Sequence, residues 1–144
     1  MQKTRKRKQL GGKPGRYRFF LNPYSDARFT RCPQCGNQTK QRKLPLVVHI
    51  DPMQLLAINK TCRYCPYCDL LIAHKNDLER FLADMLPQFR PELVGNDYLV
   101  MGTADKKDIE FAHGRENSVE QALAALHAFK EVVIFKPAPS WGRY

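Results

Sequence analysis

Hydrophobic positions along this chain switch between a period of two and a period near 3.6, and the switches mark its elements. Residues 1–18 (MQKTRKRKQLGGKPGRYR) hold only Met1 and Leu10 as aliphatic apolar groups. A segment so poor in apolar surface cannot offset the entropy of ordering itself, so a disordered arm is expected there. Phe19, Phe20, Leu21 and Tyr24 are the first candidate core or docking residues. Alternation through Ala27, Phe29 and Arg31 predicts a short strand leading into Cys32. Residues 39–50 read as extended and end in Leu46, Val47, Val48 and Ile50; Pro45 within them implies a sheet edge or a bulge. Residues 55–64 read as another strand, although 52–56 offer the start of a short helix, and Leu70, Leu71, Ile72 and Ala73 follow.

A helix is predicted over residues 76–86. Asn76 suits the N-cap, Asp77 and Glu79 favour the positive end of the dipole, and Leu78, Phe81, Leu82 and Met85 share one face. Pro87 ends it, and 87–95 read as a connector. The remainder reads β-β-α-β: strands over 98–103, 109–112 and 131–136, with a helix between the last two. Ser118 and Gln121 form its capping box, and Val119, Ala122, Leu123, Leu126 and Phe129 its apolar face.

Charge adds a polarity to this plan. The chain carries a net charge of +10, but residues 1–43 hold 13 Lys/Arg against the single acid Asp26, while 44–144 hold 11 Lys/Arg against 13 Asp/Glu. The basicity belongs to the N-terminal third, as an arm for an anionic partner on a near-neutral body. No apolar run approaches the roughly 18 residues that span a bilayer. No apolar region follows the N-terminal charges, and Gly11, Gly12, Pro14 and Gly15 break any amphipathic transit helix. A cytoplasmic protein is expected, or a nuclear one in a eukaryote, with no membrane partner.

Five cysteines in two tight clusters do not suit a secreted disulfide framework; in a reducing compartment they read first as metal ligands. In Cys32-Pro33-Gln34-Cys35-Gly36, proline presets φ after the first cysteine and glycine tolerates a left-handed turn after the second. Turn amides can donate to the sulfurs, and four thiolates at about 2.3 Å in a tetrahedron suit Zn²⁺. Cys62-Arg63-Tyr64-Cys65-Pro66-Tyr67-Cys68 contains two overlapping Cys-x2-Cys units. Cys65 and Cys68 are favoured because they repeat the Cys-Pro-x-Cys form; Cys62 is the alternate. Asp69 stands where glycine is more usual, and aspartate tolerates the left-handed region better than most residues.

On these knuckles, residues 27–73 resemble the zinc-ribbon family, in which two Cys-x2-Cys turns at the tips of β-hairpins share one structural zinc. The resemblance implies a ribbon with antiparallel hairpins and two knuckles (19–75); with the hydrophobic pattern the expected fold is α+β, the ribbon preceded by a basic arm (1–18) and followed by a helix and connector (76–90) and a β-β-α-β unit (91–144). Whether the ribbon and the C-terminal unit share a sheet is open. A four-cysteine iron–sulfur centre and His74 as a substitute ligand are the other metal readings.

Nothing in the chain composes a catalytic constellation. Four thiolates close the shell of a zinc ion against water. His49, His113 and His127 are scattered, Asp105, Asp108 and Glu110 read as a solvated acidic loop, and Gly11-Gly12-Lys13-Pro14-Gly15 lacks the strand and helix of a phosphate loop. The expected function is therefore non-catalytic. Lys3, Arg5, Lys6, Arg7, Lys8, Lys13, Arg16 and Arg18, with Arg42 and Lys43, would neutralise phosphates of RNA or DNA while Tyr17 stacks on a base. The alternative is a zinc-stabilised module for protein–protein assembly, with aromatic anchors such as Trp141 and Tyr144.

Overall fold

A computed structural model describes residues 12–88, 90–107 and 119–135. The expectations at Lys3, Arg5, Lys6, Arg7 and Lys8, at the 109–112 strand, at Asp108, Glu110, His113 and Ser118, and at residues 141–144 lie outside them. The elements run β1 (Arg18–Asn22), β2 (Lys40–Ile50), β3 (Gln54–Cys65), β4 (Leu70–His74), α1 (Lys75–Met85), two 3₁₀ turns (Leu86–Gln88, Pro91–Leu93), β5 (Tyr98–Ala104), α2 (Val119–Ala125), β6 (Leu126–Ala128) and β7 (Glu131–Val132). The class is α+β, and the described strands form one curled sheet in the order β6-β5-β2-β3-β4-β1-β7.

Its centre is the long hairpin β2–β3, paired from Lys40↔Tyr64 to Ile50↔Gln54. Alternation sends Leu44, Leu46, Val48 and Ile50 inward to meet Leu56, Ile58, Cys62 and Tyr64 in the main core. β5 pairs with β2 only from Leu46 to Ile50, so Pro45, which has no N–H to give, lies just outside that ladder. Leu78 and Leu82 of α1 and Leu86 cover the same core. Glu79 fastens α1 by accepting hydrogen bonds from the Tyr98 hydroxyl and the Lys75 ammonium, both at 2.7 Å.

The sheet curls because one short segment serves both of its edges. β6 pairs antiparallel with β5, and β7, two residues further on, pairs parallel with β1. Between them the Phe129 N–H donates to the Met101 carbonyl and the Lys130 N–H to the Tyr17 carbonyl. The Phe129 ring stacks on Phe19 inside, with centroids 4.2 Å apart and planes 2° from parallel. A Cβ at position 102 would collide with the His127 carbonyl, so β5 and β6 can approach this closely only because Gly102 has none. A second cluster, Val47, Leu55 and Ala57 with Ala122 and Leu126, lies under α2; a third packs Phe20, Leu70 and Ile72 against Cys32 and Cys65.

Several expectations are corrected. The sheet is mixed, since β1 runs parallel to β4 and β7, whereas antiparallel hairpins were expected. β1 itself was read only as candidate core, because five residues beside a basic arm carry too little alternation. Residues 27–31 form a loop with one bridge, Arg31↔Gln38, in place of a strand. The α1 cap is His74, whose Nδ1 accepts from the Asp77 N–H at 3.4 Å, and not Asn76. α2 stops at Ala125: Leu126 to Ala128 turn extended to pair with β5, a tertiary demand overriding the helical period. Gly12 to Tyr17, expected within the free arm, run beside this segment, with the Gly12 N–H donating to the Leu123 carbonyl and the Arg16 N–H to the Ala128 carbonyl.

Closure through Phe129 predicts that Phe129→Ala costs roughly 3–5 kcal/mol, as aromatic truncations in cores do. Urea denaturation followed by circular dichroism measures it.

Candidate metal centre

Two turns bring four sulfurs together. The first, Cys32-Pro33-Gln34-Cys35, lies in the long connection from β1 to β2, and the second, Cys65-Pro66-Tyr67-Cys68, joins β3 to β4. Each ends on a residue in the left-handed region, Gly36 at φ 77° and Asp69 at φ 51°. The first turn is held by hydrogen bonds from the Gly36 N–H to the Cys32 carbonyl (2.9 Å) and from the Cys32 N–H to the Asn37 carbonyl (2.8 Å). Asp69 anchors the second: its carboxylate accepts from the Tyr64 hydroxyl (2.8 Å) and Lys130 (3.1 Å), and its carbonyl from the Arg18 N–H (2.8 Å).

The Sγ atoms of Cys32, Cys35, Cys65 and Cys68 all lie within 4.8 Å of one another. Cys35 and Cys65 sulfurs are 3.5 Å apart and those of Cys32 and Cys68 3.9 Å. A tetrahedral ion with metal–sulfur bonds of about 2.3 Å separates its sulfurs by about 3.8 Å, so the spacing fits one zinc ion. An iron–sulfur cluster, with several atoms between its ligands, needs more room. All five cysteines are free of disulfides. Donors face the sulfurs as well: the Gln34 N–H reaches Cys32 Sγ at 3.4 Å and the Asn37 side-chain amide reaches Cys35 Sγ at 3.3 Å.

Electrostatics within the cluster are divided. The Asn37 backbone N–H, against some burial, draws the exposed Cys35 thiol down to about 6. Burial, then the neighbouring Cys35 and Cys32 thiols, pushes Cys68 up to about 12, and burial likewise raises Cys65. Four thiols in this space cannot all ionise together without a cation to compensate them.

Cys62 stands apart. Three positions from Cys65 along the same strand is an odd step, so the two side chains leave opposite faces of the sheet. Cys62 faces the main core, its thiol donating to the Lys60 carbonyl at 3.8 Å, and burial pushes it up to about 12. Cys65 faces the outer cluster beside Cys32. His74 is likewise outside the cluster, with Nε2 3.3 Å from the Ser25 carbonyl and Nδ1 capping α1.

Arg18, read in sequence as a phosphate contact, instead ties the two turns together. Its Nη1 donates to Gln34 Oε1 at 2.7 Å and to the Cys68 carbonyl at 3.5 Å, while Nε meets Glu131 at 3.0 Å. Tyr17, expected to stack on a base, is instead buried edge-on against Tyr64 at 5.5 Å, just ahead of β1 and in the left-handed region at φ 67°. Arg42 lies over the Tyr64 ring at 4.1 Å and donates to the Tyr17 hydroxyl at 3.1 Å. Arg16 lies over Tyr17 at 5.2 Å and pairs with Asp105 at 3.6 Å; Lys40 lies 5.9 Å over Tyr64. Lys43 is exposed, and Lys13 runs beside His127. Alternation through 40–44 could have foretold that Arg42 points inward at the sheet's end.

Comparison with protein-family models, curated proteins and solved structures finds no match to this chain. The cysteine cluster is compatible with a zinc-ribbon-like site on its geometry alone. No helix among the described residues is long and apolar enough to cross a membrane.

The geometry predicts that Cys65→Ser loses bound metal while Cys62→Ala keeps one equivalent. Elemental analysis of the purified variants reads both.

Proposed function

We propose that Cys32, Cys35, Cys65 and Cys68 hold one structural Zn²⁺ and that this chain is a non-catalytic, zinc-stabilised protein. The observation that carries the reading is the mutual approach of the four sulfurs to within 4.8 Å from turns 30 positions apart in sequence. The ion would supply the positive charge that lets four thiols ionise side by side, and four thiolates leave no position for a water nucleophile. Gln34 and Asn37 would orient the sulfurs, and Arg18 and Asp69 would hold the turns that carry them.

Chelation is then expected to lower the melting temperature sharply, and re-addition of zinc to restore it. Circular dichroism melts with and without a chelator read this; an unchanged melt in metal-free protein contradicts the reading.

The second reading is that the chain contacts nucleic acid through part of the expected basic surface, without Tyr17 and Arg18. It is favoured by the grouping of Arg16, Lys40 and Arg42 around the Tyr17 and Tyr64 rings, where only Arg16 meets a carboxylate among the described residues. Lys43 and the basic residues 3–8 would extend that charge. Arg16→Gln and Lys43→Gln should each flatten the dependence of log affinity on log salt, by about 0.7 per lost contact on a single strand and about 0.9 on a duplex. Fluorescence anisotropy across a salt series measures it. A slope near zero in the parent protein contradicts nucleic-acid contact and leaves the protein-assembly alternative.

A further inference from the structure

Beside the stretch of β3 that β4 leaves unpaired, between the loop that follows β1 and the start of α1, lies a cavity of about 350 Å³. Arg28, Lys60, Arg63, Thr30, Thr61 and Asp77 are among its lining. None of them is a cysteine ligand or part of the Arg16–Arg42 grouping.

The cavity is built. Arg63 is fixed by two bonds to Thr39, from Nε to the hydroxyl at 2.9 Å and from Nη2 to the carbonyl at 2.8 Å. Thr39 is itself buried and donates to the Phe29 carbonyl at 2.7 Å. Arg28 meets Asp77 at 2.8 Å, whereas Lys60 and Arg63 make no ion pair among the described residues. Lys60 donates instead to the Thr61 carbonyl at 3.4 Å. Burial opposes ionisation of Asp77, yet Arg28, His74 and Lys60 outweigh it and hold the carboxyl below its ordinary value. Asp77 thus already behaves as an anion resting in a positive field.

Three cations against one carboxylate leave two positive charges facing a space larger than Asp77 fills. A dianionic tetrahedral group matches that excess in charge, and the Thr30 and Thr61 hydroxyls add neutral donors for its remaining oxygens. A phosphodiester carries one charge and is bulky on two sides, so it fits less well. We propose that this cavity binds a terminal phosphate group, either inorganic phosphate or a phosphomonoester end, with Asp77 as the internal anion that the ligand displaces from Arg28. The proposal stands independently of the nucleic-acid reading above.

The test is a titration of zinc-loaded full-length protein, followed by amide NMR, with three probes at matched ionic strength. These are inorganic phosphate, a short single-stranded oligonucleotide with a 5′-phosphate, and the same oligonucleotide without it. Saturable shifts at Thr30, Thr61 and Arg63 are expected with the first two probes and not the third. Loss of one charged contact should weaken binding about tenfold in Lys60→Gln and in Arg28→Gln. Asp77→Asn should tighten it several-fold by freeing Arg28, and Arg80→Gln, on the exposed face of α1, should leave it unchanged. Inorganic phosphate without the oligonucleotide effect would identify the free anion as the ligand; the reverse would identify the phosphomonoester end. Absence of saturable shifts with both probes, equal affinity in Lys60→Gln, or unchanged or weaker affinity in Asp77→Asn overturns the proposal.

Discussion

The structure depends on a closure: residues 126–132 satisfy the backbone groups of β5 on one side and of the chain entering β1 on the other. An open twisted sheet of this size would present two unpaired edges to solvent and to other chains. Bringing both edges onto one segment removes that liability along much of its length and encloses Phe19, Phe129, Tyr17 and Tyr64 in a common interior. The helix α1 then covers the interior beside the ends of β2 and β5. The cysteine turns lie outside this core, on the face that β1 and β4 present.

That division of faces organises the chemistry. Along β3, Cys62 and Tyr64 point in while Arg63 and Cys65 point out, so one strand feeds the core, the cysteine cluster and the cationic cavity. Along β2, Arg42 ends the inward series begun by Leu44 to Ile50, and its charge is received by the faces of Tyr17 and Tyr64. Arg18 and Asp69 link the cysteine turns to β7 and to Lys130. The proposed zinc would therefore act on the packing of the whole barrel-like sheet and not on a detachable ribbon.

Much of this was legible in the sequence where local rules decide. The β2–β3 pattern, helix α1, strand β5 and the two Cys-Pro-x-Cys turns each carry their own signal in period or turn chemistry. Asp69 in the left-handed region was also foreseen, from its side chain's tolerance of that conformation. What failed was non-local. β1 and β6 are short strands whose partners lie far along the chain, so no window of sequence contains the reason for them. Tyr17 and Arg18 looked like surface contacts because their neighbours in sequence are basic, whereas their neighbours in space are Tyr64, Gln34 and Glu131. The Cys62 ambiguity was resolvable only had the strand read over 55–64 been carried on to Cys65, where β3 ends, since a step of three within a strand cannot place Cys62 and Cys65 on one face.

The parallel pairing of β1 with β7 also sets an order of events during synthesis. Arg18 meets a partner, Glu131, that lies 113 positions later. At translation rates of about 5–20 residues per second, that partner emerges from the ribosome roughly 5–20 s after Arg18. The hairpins β2–β3 and β3–β4, and with them both cysteine turns, are complete long before then. The nascent chain thus passes through a stage in which its cysteine turns are assembled while the β1 edge is still unpaired on one side. A fold closed by its last described strand leaves the edge of its first strand open to chaperones, or to other nascent chains, until residues 131 and 132 emerge.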